Sequence, residues 1–245
     1  MNVNTFSTTK EMGVAAAKAG AAKLKEILAT KGEANIILAT GASQFETIEA
    51  LLKEDIDWSK VTMFHLDEYI GLPITHPASF RKYLKERFVD KTNGLKAANY
   101  VEPDQDNPQA TCDALGKLIA EHPIDVCFAG VGENAHLAFN DPPADFETEA
   151  AYIVVDLDED CRKQQLGEGW FKSLDEVPKQ AISMGIKQIL KSKTIIISAP
   201  DERKAEAVKN SIEGKITPEV PSSILQKHAD CHFYIDSASA SKLSK

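Results

Sequence analysis

Short apolar runs recur along this chain, and each is separated from the next by a segment of helical composition. Runs of this kind, bounded by turn residues, are typical of parallel strands that are covered on both faces. Parallel strands need crossover connections, usually helices, so the alternation predicts a mainly parallel sheet between two helical layers. The predicted strands are residues 34–39, 61–66, 124–129, 152–155, 194–199 and 231–235.

The length and composition predict one domain. A chain of 245 residues that is 43% hydrophobic and 27% charged can bury a single large core. We therefore expect one three-layer α/β/α sandwich with a Rossmann-like sheet over residues 1–245. Residues 162–171 are expected to form a helix or a lid-like segment, and residues 182–190 are compatible with either strand or helix. The other predicted helices are residues 12–30, 44–53, 76–88, 107–121 and 201–211.

The net charge of −9 argues against sequence-independent nucleic-acid binding, which depends on clustered cations. No apolar run approaches the roughly twenty residues of a membrane span. The polar N-terminal residues lack the apolar region of a signal peptide. The four cysteines show no C-x-x-C spacing, which favours reduced thiols. We expect a soluble cytoplasmic protein with no nucleic-acid or membrane partner.

Residues 130–142, with the sequence GVGENAHLAFNDP, come directly after a predicted strand. In an open α/β sheet, ligands bind beyond the carboxyl ends of the strands. This position carries the imidazole of His136, the amides of Asn134 and Asn140, and the carboxylate of Asp141. The pattern indicates a site, although a single histidine here could also be structural.

Two other strand ends carry groups suited to a site. Asp67 and Glu68 follow the strand at 61–66, where a carboxylate can be a general base, a helix cap or a solvated turn residue. A small-residue turn after the strand at 34–39 leads into a helix, which fits a phosphate cradle or an ordinary connection. The residues of this turn are Thr40, Gly41, Ala42 and Ser43.

Two motifs resemble the signatures of the glucosamine-6-phosphate deaminase/isomerase family. They are GVGENAHLAFNDP and LDEYIGLP at residues 66–73, and similar order continues from residues 38–41 to 221–226. The resemblance implies conversion of glucosamine 6-phosphate and water to fructose 6-phosphate and ammonia. We expect no cofactor, because the dinucleotide fingerprint is missing. We expect no metal, because His136 and Asp141 lack a second His or Cys at ligand spacing.

The resemblance also implies roles for four residues. His136 is the acid and base at the ring oxygen, and Asp67 is the base at C2. Asp141 stands where the family has Glu, and it would orient and charge the imidazole, although the shorter side chain requires a backbone shift or a water. Asn134 can hydrogen-bond the substrate or His136, but it cannot carry charge.

The expected phosphate contact is Lys204, which matches a family lysine. Lys204 and Arg203 lie at a helix N-terminus, where cations oppose the helix dipole unless an anion is close. The arginine that the family places beside this lysine is not visible at residues 168–171, which leaves Arg162 or Lys163 as substitutes. The full set of expected substrate contacts is Thr40, Gly41, Ala42, Ser43, Glu68, Gly132, Ala135 and Lys204.

Several questions stay open at this point. Ala135 replaces a family glycine and would be strained if the backbone needs a positive φ there. A 6-phosphogluconolactonase, another sugar-phosphate isomerase and a non-catalytic sugar-phosphate sensor are the alternatives. Allosterically regulated members of the family carry a cluster of Arg, Lys and Thr side chains that is missing from residues 151–154. Activation by an N-acetylated sugar phosphate is therefore not expected. The chain could be a monomer or a homo-oligomer.

Overall fold

The computed structural model describes residues 1–244, and Lys245, the last residue of the predicted domain, lies outside them. The strands in this range are β1 (Asn2–Phe6), β2 (Ala34–Leu38), β3 (Val61–His65), β4 (Asp67–Tyr69), β5 (Ala97–Asn99), β6 (Val126–Ala129), β7 (Tyr152–Asp156), β8 (Gln180–Met184), β9 (Thr194–Ser198) and β10 (Cys231–Asp236). The α-helices are α1 (Thr9–Lys31), α2 (Phe45–Leu51), α3 (Phe80–Arg87), α4 (Pro108–Ala120), α5 (Glu159–Gly167), α6 (Ile186–Leu190) and α7 (Ala205–Glu213).

Within this range, the main sheet has seven strands in the order β1-β10-β9-β6-β2-β3-β5. Every neighbouring pair in this sheet is parallel. The strand order reverses direction around β2 and β6, which places a crevice beyond their carboxyl ends. The predicted mainly parallel, three-layer architecture is confirmed.

The core lies on both faces of this sheet, because side chains alternate along each strand. Strand β2 is buried along its whole length. Ile36 and Leu38 belong to a cluster with Met12 of α1, whereas Ile37 belongs to a second cluster with Ile119 of α4. Both faces of the sheet are therefore covered by helices, as continuous apolar strands require.

Helix α1 illustrates how local sequence sets the element boundaries. It begins earlier than predicted because Thr8 caps it, with the Thr8 side chain accepting a hydrogen bond from the Glu11 amide at 3.2 Å. It ends before Gly32, which takes a φ of 77° that glycine adopts at little cost. None of the helices in residues 1–244 has the length and hydrophobicity needed to cross a bilayer.

The structure corrects one predicted pairing, resolves one ambiguous segment and adds two strands. The strand at 152–155 exists as β7, but it pairs with β8 in a separate antiparallel sheet of order β4-β8-β7. The ambiguous segment 182–190 contains both the end of β8 and helix α6. Edge strands β1 and β5 were not predicted, because β1 is polar and largely exposed and β5 has only three residues.

Candidate active site

A cleft opens at the carboxyl ends of β2, β3, β6 and β9, where the segments that follow these strands meet. Its volume is about 270 Å³, close to the lower end of ordinary ligand pockets at roughly 300 Å³. Helix α5 and the residues after it close one side. Residues from the predicted site that line the cleft are Thr40, Gly41, Ala42, Ser43, Asp67, Gly132, His136 and Lys204.

The turn after β2 is held by hydrogen bonds to its backbone. Gly41 has a φ of 97°. Its carbonyl accepts hydrogen bonds from the Tyr83 hydroxyl at 2.9 Å and from the backbone amide of Gln44 at 3.1 Å. The buried Gln44 side chain donates to the carbonyls of Ala129 and Ser198, at the ends of β6 and β9. The turn therefore keeps a fixed position at the centre of the strand ends.

Asp67 is the first residue of β4, and its side chain lines the cleft with only 8% of the residue exposed. Burial raises the pKa of Asp67 to about 8, and the neighbouring Glu68 charge adds to the rise. A carboxyl group with a pKa near the working pH is suited to take and return a proton.

Glu68 does not reach the cleft, contrary to its predicted role as a substrate contact. Successive side chains of a strand point to opposite faces, so Glu68 turns away from Asp67. Its buried carboxylate accepts hydrogen bonds from the Ser79 hydroxyl at 2.8 Å and Arg81 Nε at 3.1 Å. It also accepts from the backbone amides of Phe80 and Arg81, so it satisfies the N-terminus of α3.

His136 is part of a three-residue hydrogen-bond network. Its Nδ1 lies 2.7 Å from the Asn134 carboxamide oxygen and 3.3 Å from an Asp141 carboxylate oxygen. The Asn134 amide nitrogen donates to the same Asp141 oxygen at 2.8 Å. Both neighbours of Nδ1 are acceptors, so Nδ1 carries a hydrogen and Nε2 is left for the cleft.

The electrostatics of Asp141 follow from this network. Burial alone would raise its pKa, but the hydrogen bonds and charge interaction with His136, together with the Asn134 hydrogen bond, outweigh burial and hold the pKa at about 2. Asp141 is therefore ionised at neutral pH. The sequence predicted that Asp141 would need a backbone shift or a water to act on His136. In the structure, the Asn134 side chain connects the two residues instead.

The turn that carries this network is tight. The amide of Gly132 donates to the His136 carbonyl, and the Ala135 amide donates to the Gly132 carbonyl, both at 3.0 Å. A Cβ on Gly132 would lie 2.2 to 2.4 Å from three atoms of the His136 ring, so any other residue there would displace the ring. Ala135 takes a φ of 68°, and its side chain is buried in the core rather than in the cleft. The predicted substrate contact through Ala135 is thus not formed by its side chain.

Lys204 lines the same cleft as Asp67. Burial lowers its pKa, while the nearby charges of Glu168 and Glu133 raise it. Among residues 1–244, no carboxylate comes within ion-pair distance of Lys204. A partly buried ammonium group without a partner is a suitable contact for an anion.

The second cation of the cleft is Arg203, which was not predicted as a site residue. Its guanidinium group contacts Glu133 at 3.2 Å and Asp201 at 3.0 Å. The two predicted substitutes lie elsewhere. Arg162 donates to the Val177 and Leu174 carbonyls, and Lys163 is exposed and paired with Glu159 and Asp160. The sequence signal for Arg203 was its place beside Lys204 at a predicted helix N-terminus, and in the structure both lie in the 3-10 turn Glu202–Lys204 that precedes α7.

Helix α5 and its C-terminal segment supply further cleft residues. Gln164, Gln165, Glu168 and Trp170 line the cleft, so the segment predicted as a helix or a lid forms part of the wall of the site. Phe80 and Phe139 form part of the inner wall. Within residues 1–244, no three His, Cys, Asp or Glu side chains are grouped as metal ligands.

The family of the chain follows from comparison with known proteins. The model of the family described as glucosamine-6-phosphate isomerases/6-phosphogluconolactonase matches residues 7–233. The chain belongs to this family. Both motifs that resemble this family in the sequence, at residues 66–73 and 130–142, contribute residues to the cleft.

Similar members of the family include a glucosamine-6-phosphate deaminase of Lacticaseibacillus paracasei, 38% identical over 85% of this chain and 86% of that protein. One of Streptococcus pneumoniae is 36% identical over 91% of this chain and 92% of that protein. A solved monomeric glucosamine-6-phosphate deaminase is 32% identical, with a TM-score of 0.88 over 98% of this chain and 99% of that chain. A Trypanosoma brucei 6-phosphogluconolactonase, 15% identical with a TM-score of 0.81 over 99% and 98% of the two chains, shares the fold.

Proposed function

We propose that this chain is a glucosamine-6-phosphate deaminase that converts glucosamine 6-phosphate and water to fructose 6-phosphate and ammonia. The observation that carries the proposal is that Asp67 and His136 line one cleft with Lys204. A reaction made of successive proton transfers on a phosphorylated sugar needs these three groups. The names of the similar deaminases support the same reaction.

The substrate phosphate is proposed to bind between Lys204 and the turn of residues 41–43. Lys204 is available for an anion, and the turn leads into a helix whose first backbone amides have no helical acceptor. A charge-assisted contact to phosphate is among the stronger hydrogen bonds. This contact would hold C6 at one end of the cleft and direct C1 and C2 towards Asp67.

His136 is proposed to open the pyranose ring. Its Nδ1–H is held by Asn134, so the Nε2 lone pair can accept the proton of the C1 hydroxyl. The same nitrogen then returns the proton to the ring oxygen as the C1–O5 bond breaks. Asp141 stabilises the imidazolium that exists between these two transfers.

Asp67 is proposed to move a proton from C2 to C1. The ionised carboxylate takes the C2 proton of the open-chain aldehyde while O1 gains a proton from solvent, which gives an enolamine. Asp67 then delivers its proton to C1, and the nitrogen returns one proton to solvent, which leaves an imine at C2. Water adds to C2 and the C–N bond breaks, so that ammonia leaves and the C2 ketone of fructose 6-phosphate forms. This last step is the hydrolytic part of the reaction.

The proposal also covers the cellular compartment, the metabolic role and the oligomeric state of the enzyme. We propose a cytoplasmic enzyme of amino-sugar breakdown, including that of N-acetylglucosamine, and a single catalytic domain. The four cysteines in the described range are buried and free, which suits a reducing compartment. The monomeric state of one similar deaminase favours a monomer, which light scattering of the purified chain would test.

The test of the reaction is ammonia release. The purified protein should produce ammonia and fructose 6-phosphate in equal amounts from glucosamine 6-phosphate without added nicotinamide. Rapid opening of a 6-phosphogluconolactone without ammonia from any hexosamine phosphate would replace the proposal with the lactonase. Ligand binding without turnover would replace it with the sensor.

A further inference from the structure

One face of helix α5 is turned towards the cleft. Cys161, Gln164, Gln165 and Glu168 are spaced at i, i+3, i+4 and i+7, which places them on one side of a helix. Cys161 is buried, and the other three line the cleft. Lys163 lies on the opposite, exposed side. The helix thus presents a mainly polar face to whatever the cleft holds.

The two ends of this helix face lie near different charged groups of the site. At the Cys161 end, burial raises the pKa of the thiol, and the nearby charges of Asp141 and Asp67 raise it further. At the other end, the charge of Glu168 acts on Lys204. Gln164 and Gln165 therefore lie between the groups assigned to proton transfer and the cation assigned to phosphate.

The orientation of the Gln165 carboxamide is fixed by Tyr69. The Tyr69 hydroxyl donates to Gln165 Oε1 at 2.7 Å. Tyr69 is almost fully buried, and burial raises its pKa well above the usual value, so the hydroxyl keeps its proton. Because Oε1 is already held, the Nε2–H donors of Gln165 are the groups left for the cleft.

Gln164 presents the complementary group. Its Oε1 is buried, and no donor within residues 1–244 makes a hydrogen bond to it. Buried carbonyl oxygens are nearly always satisfied, because an unpaired one costs free energy. Since Gln164 lines the cleft, a bound ligand can supply the missing donor.

We propose that Gln164 and Gln165 determine substrate specificity by binding the C3 and C4 hydroxyls of the hexosamine phosphate. This inference rests on the proposed function, which directs C1 and C2 to Asp67 and the phosphate to Lys204, so that C3 and C4 lie between. A hydroxyl both donates and accepts hydrogen bonds. Gln165 donates to one hydroxyl, and Gln164 accepts from the other.

The test compares enzyme variants with substrate analogues that lack one hydroxyl. Gln164→Met and Gln165→Met keep the size of the side chains and remove their hydrogen bonds. On glucosamine 6-phosphate, each should lower kcat/KM about 5- to 10-fold, the scale of a neutral hydrogen bond. The same variant is then compared with the wild type on the analogue, 3-deoxy or 4-deoxy glucosamine 6-phosphate, that lacks the hydroxyl bound by the replaced glutamine. On that analogue, its kcat/KM should be less than about 2-fold below that of the wild type.

Two further variants separate binding from packing. Lys163→Met, on the exposed side of the same helix, should leave kcat/KM unchanged. Tyr69→Phe should reproduce part of the Gln165→Met loss, and the double variant should be no worse than Gln165→Met alone. Of Gln164→Met and Gln165→Met, the variant that loses the C4 contact should also reduce the preference for glucosamine 6-phosphate over its C4 epimer, galactosamine 6-phosphate.

Equal losses on the complete and the deoxy substrates would overturn the inference and assign the glutamines a packing role. Unchanged activity in both variants would overturn it too. In either case, ammonia release by the wild type would leave the proposed function intact. If the wild type releases no ammonia from glucosamine 6-phosphate, the proposed function itself fails, and this inference fails with it.

Discussion

The carboxamide oxygen of Asn134 lies 2.7 Å from Nδ1 of His136, closer than the Asp141 carboxylate at 3.3 Å. The Asn134 amide nitrogen donates to Asp141, so its oxygen must face the imidazole. An uncharged side chain therefore transmits the orienting effect of a carboxylate to the histidine. The charge of Asp141 stays near the ring without being its first hydrogen-bond partner.

Replacing this bridge should slow the chemical step. Asn134→Leu keeps the volume but removes three hydrogen bonds, to the His136 ring, the His136 backbone amide and Asp141, so the His136 ring loses its nearest acceptor. We expect kcat to fall at least about tenfold, since a positioned acid or base contributes roughly 10²- to 10⁴-fold. KM should change little. Steady-state kinetics would check this, with Asn93→Leu at an exposed position as the control, and an unchanged kcat would contradict a role for the bridge.

Gly132→Ala should displace the histidine without unfolding the protein. The added Cβ would lie within 2.4 Å of the His136 ring, which must move. We expect a loss of kcat comparable to that of a His136 variant, with a circular dichroism spectrum like that of the wild type. Gly116→Ala in α4 is the matched control, because its Cβ meets only Ala151 Cβ at 3.8 Å. That control should keep full activity and gain up to about 1 kcal/mol in stability, and full activity of Gly132→Ala would show that the ring can move freely.

The sequence predicted the central strands because each is a continuous apolar run buried on both faces, as in β2 and β9. It did not predict β1, which is polar and largely exposed and is defined by its pairing with β10. Tertiary pairing, rather than local pattern, also decided that β7 joins a separate antiparallel sheet. Such pairings depend on residues far apart in the chain, so a local pattern cannot show them.

The site was predictable to a similar extent. Asp67, His136 and Lys204 each follow a strand, so their meeting at one edge follows from the fold. Asp67 lines the cleft and Glu68 does not, because successive side chains of a strand point to opposite faces. Glu68 is instead held by Ser79 and Arg81, at the N-terminus of α3. The sequence could not show that these partners would satisfy Glu68.

Lys204→Ala tests the phosphate end of the cleft. Removal of a hydrogen bond to a charged group should weaken binding of glucosamine 6-phosphate by roughly 1.5 to 3 kcal/mol. The unphosphorylated sugar should be affected far less. Binding is measured by the inhibition constant of fructose 6-phosphate and by KM, with Lys163→Ala as the exposed control. Unchanged constants would move the phosphate contact to Arg203.

The raised pKa of Asp67 predicts a pH-dependent stability. The unfolded side chain ionises near pH 4, while burial raises the pKa of Asp67 to about 8 in the folded state. The folded state therefore holds one more proton between these values, and stability falls as pH rises through about 8. When the pH rises from 6 to 9, deprotonation of Asp67 should lower the free energy of unfolding of the wild type by on the order of 2 kcal/mol. Asp67→Asn should not show this loss. Urea unfolding of both proteins at the two pH values measures this difference, and parallel pH profiles would contradict the raised pKa.

His136 and Asp67 act on different forms of the sugar, so their variants should fail differently. Asp67→Asn keeps the size of the side chain but removes the base. It should still bind glucosamine 6-phosphate, and it should show neither ammonia release nor exchange of the C2 proton with solvent deuterium, as followed by proton NMR.

His136→Gln should be slow on the cyclic sugar phosphate, because ring opening lacks its proton carrier. It should keep much of its activity on an analogue held in the open-chain form, because Asp67 is intact and the ring need not open. The ratio of open-chain to cyclic activity should therefore rise well above that of the wild type, whereas Asp67→Asn should be inactive on both. Equal losses of His136→Gln on the two substrates would place His136 in proton transfer at carbon or in binding instead.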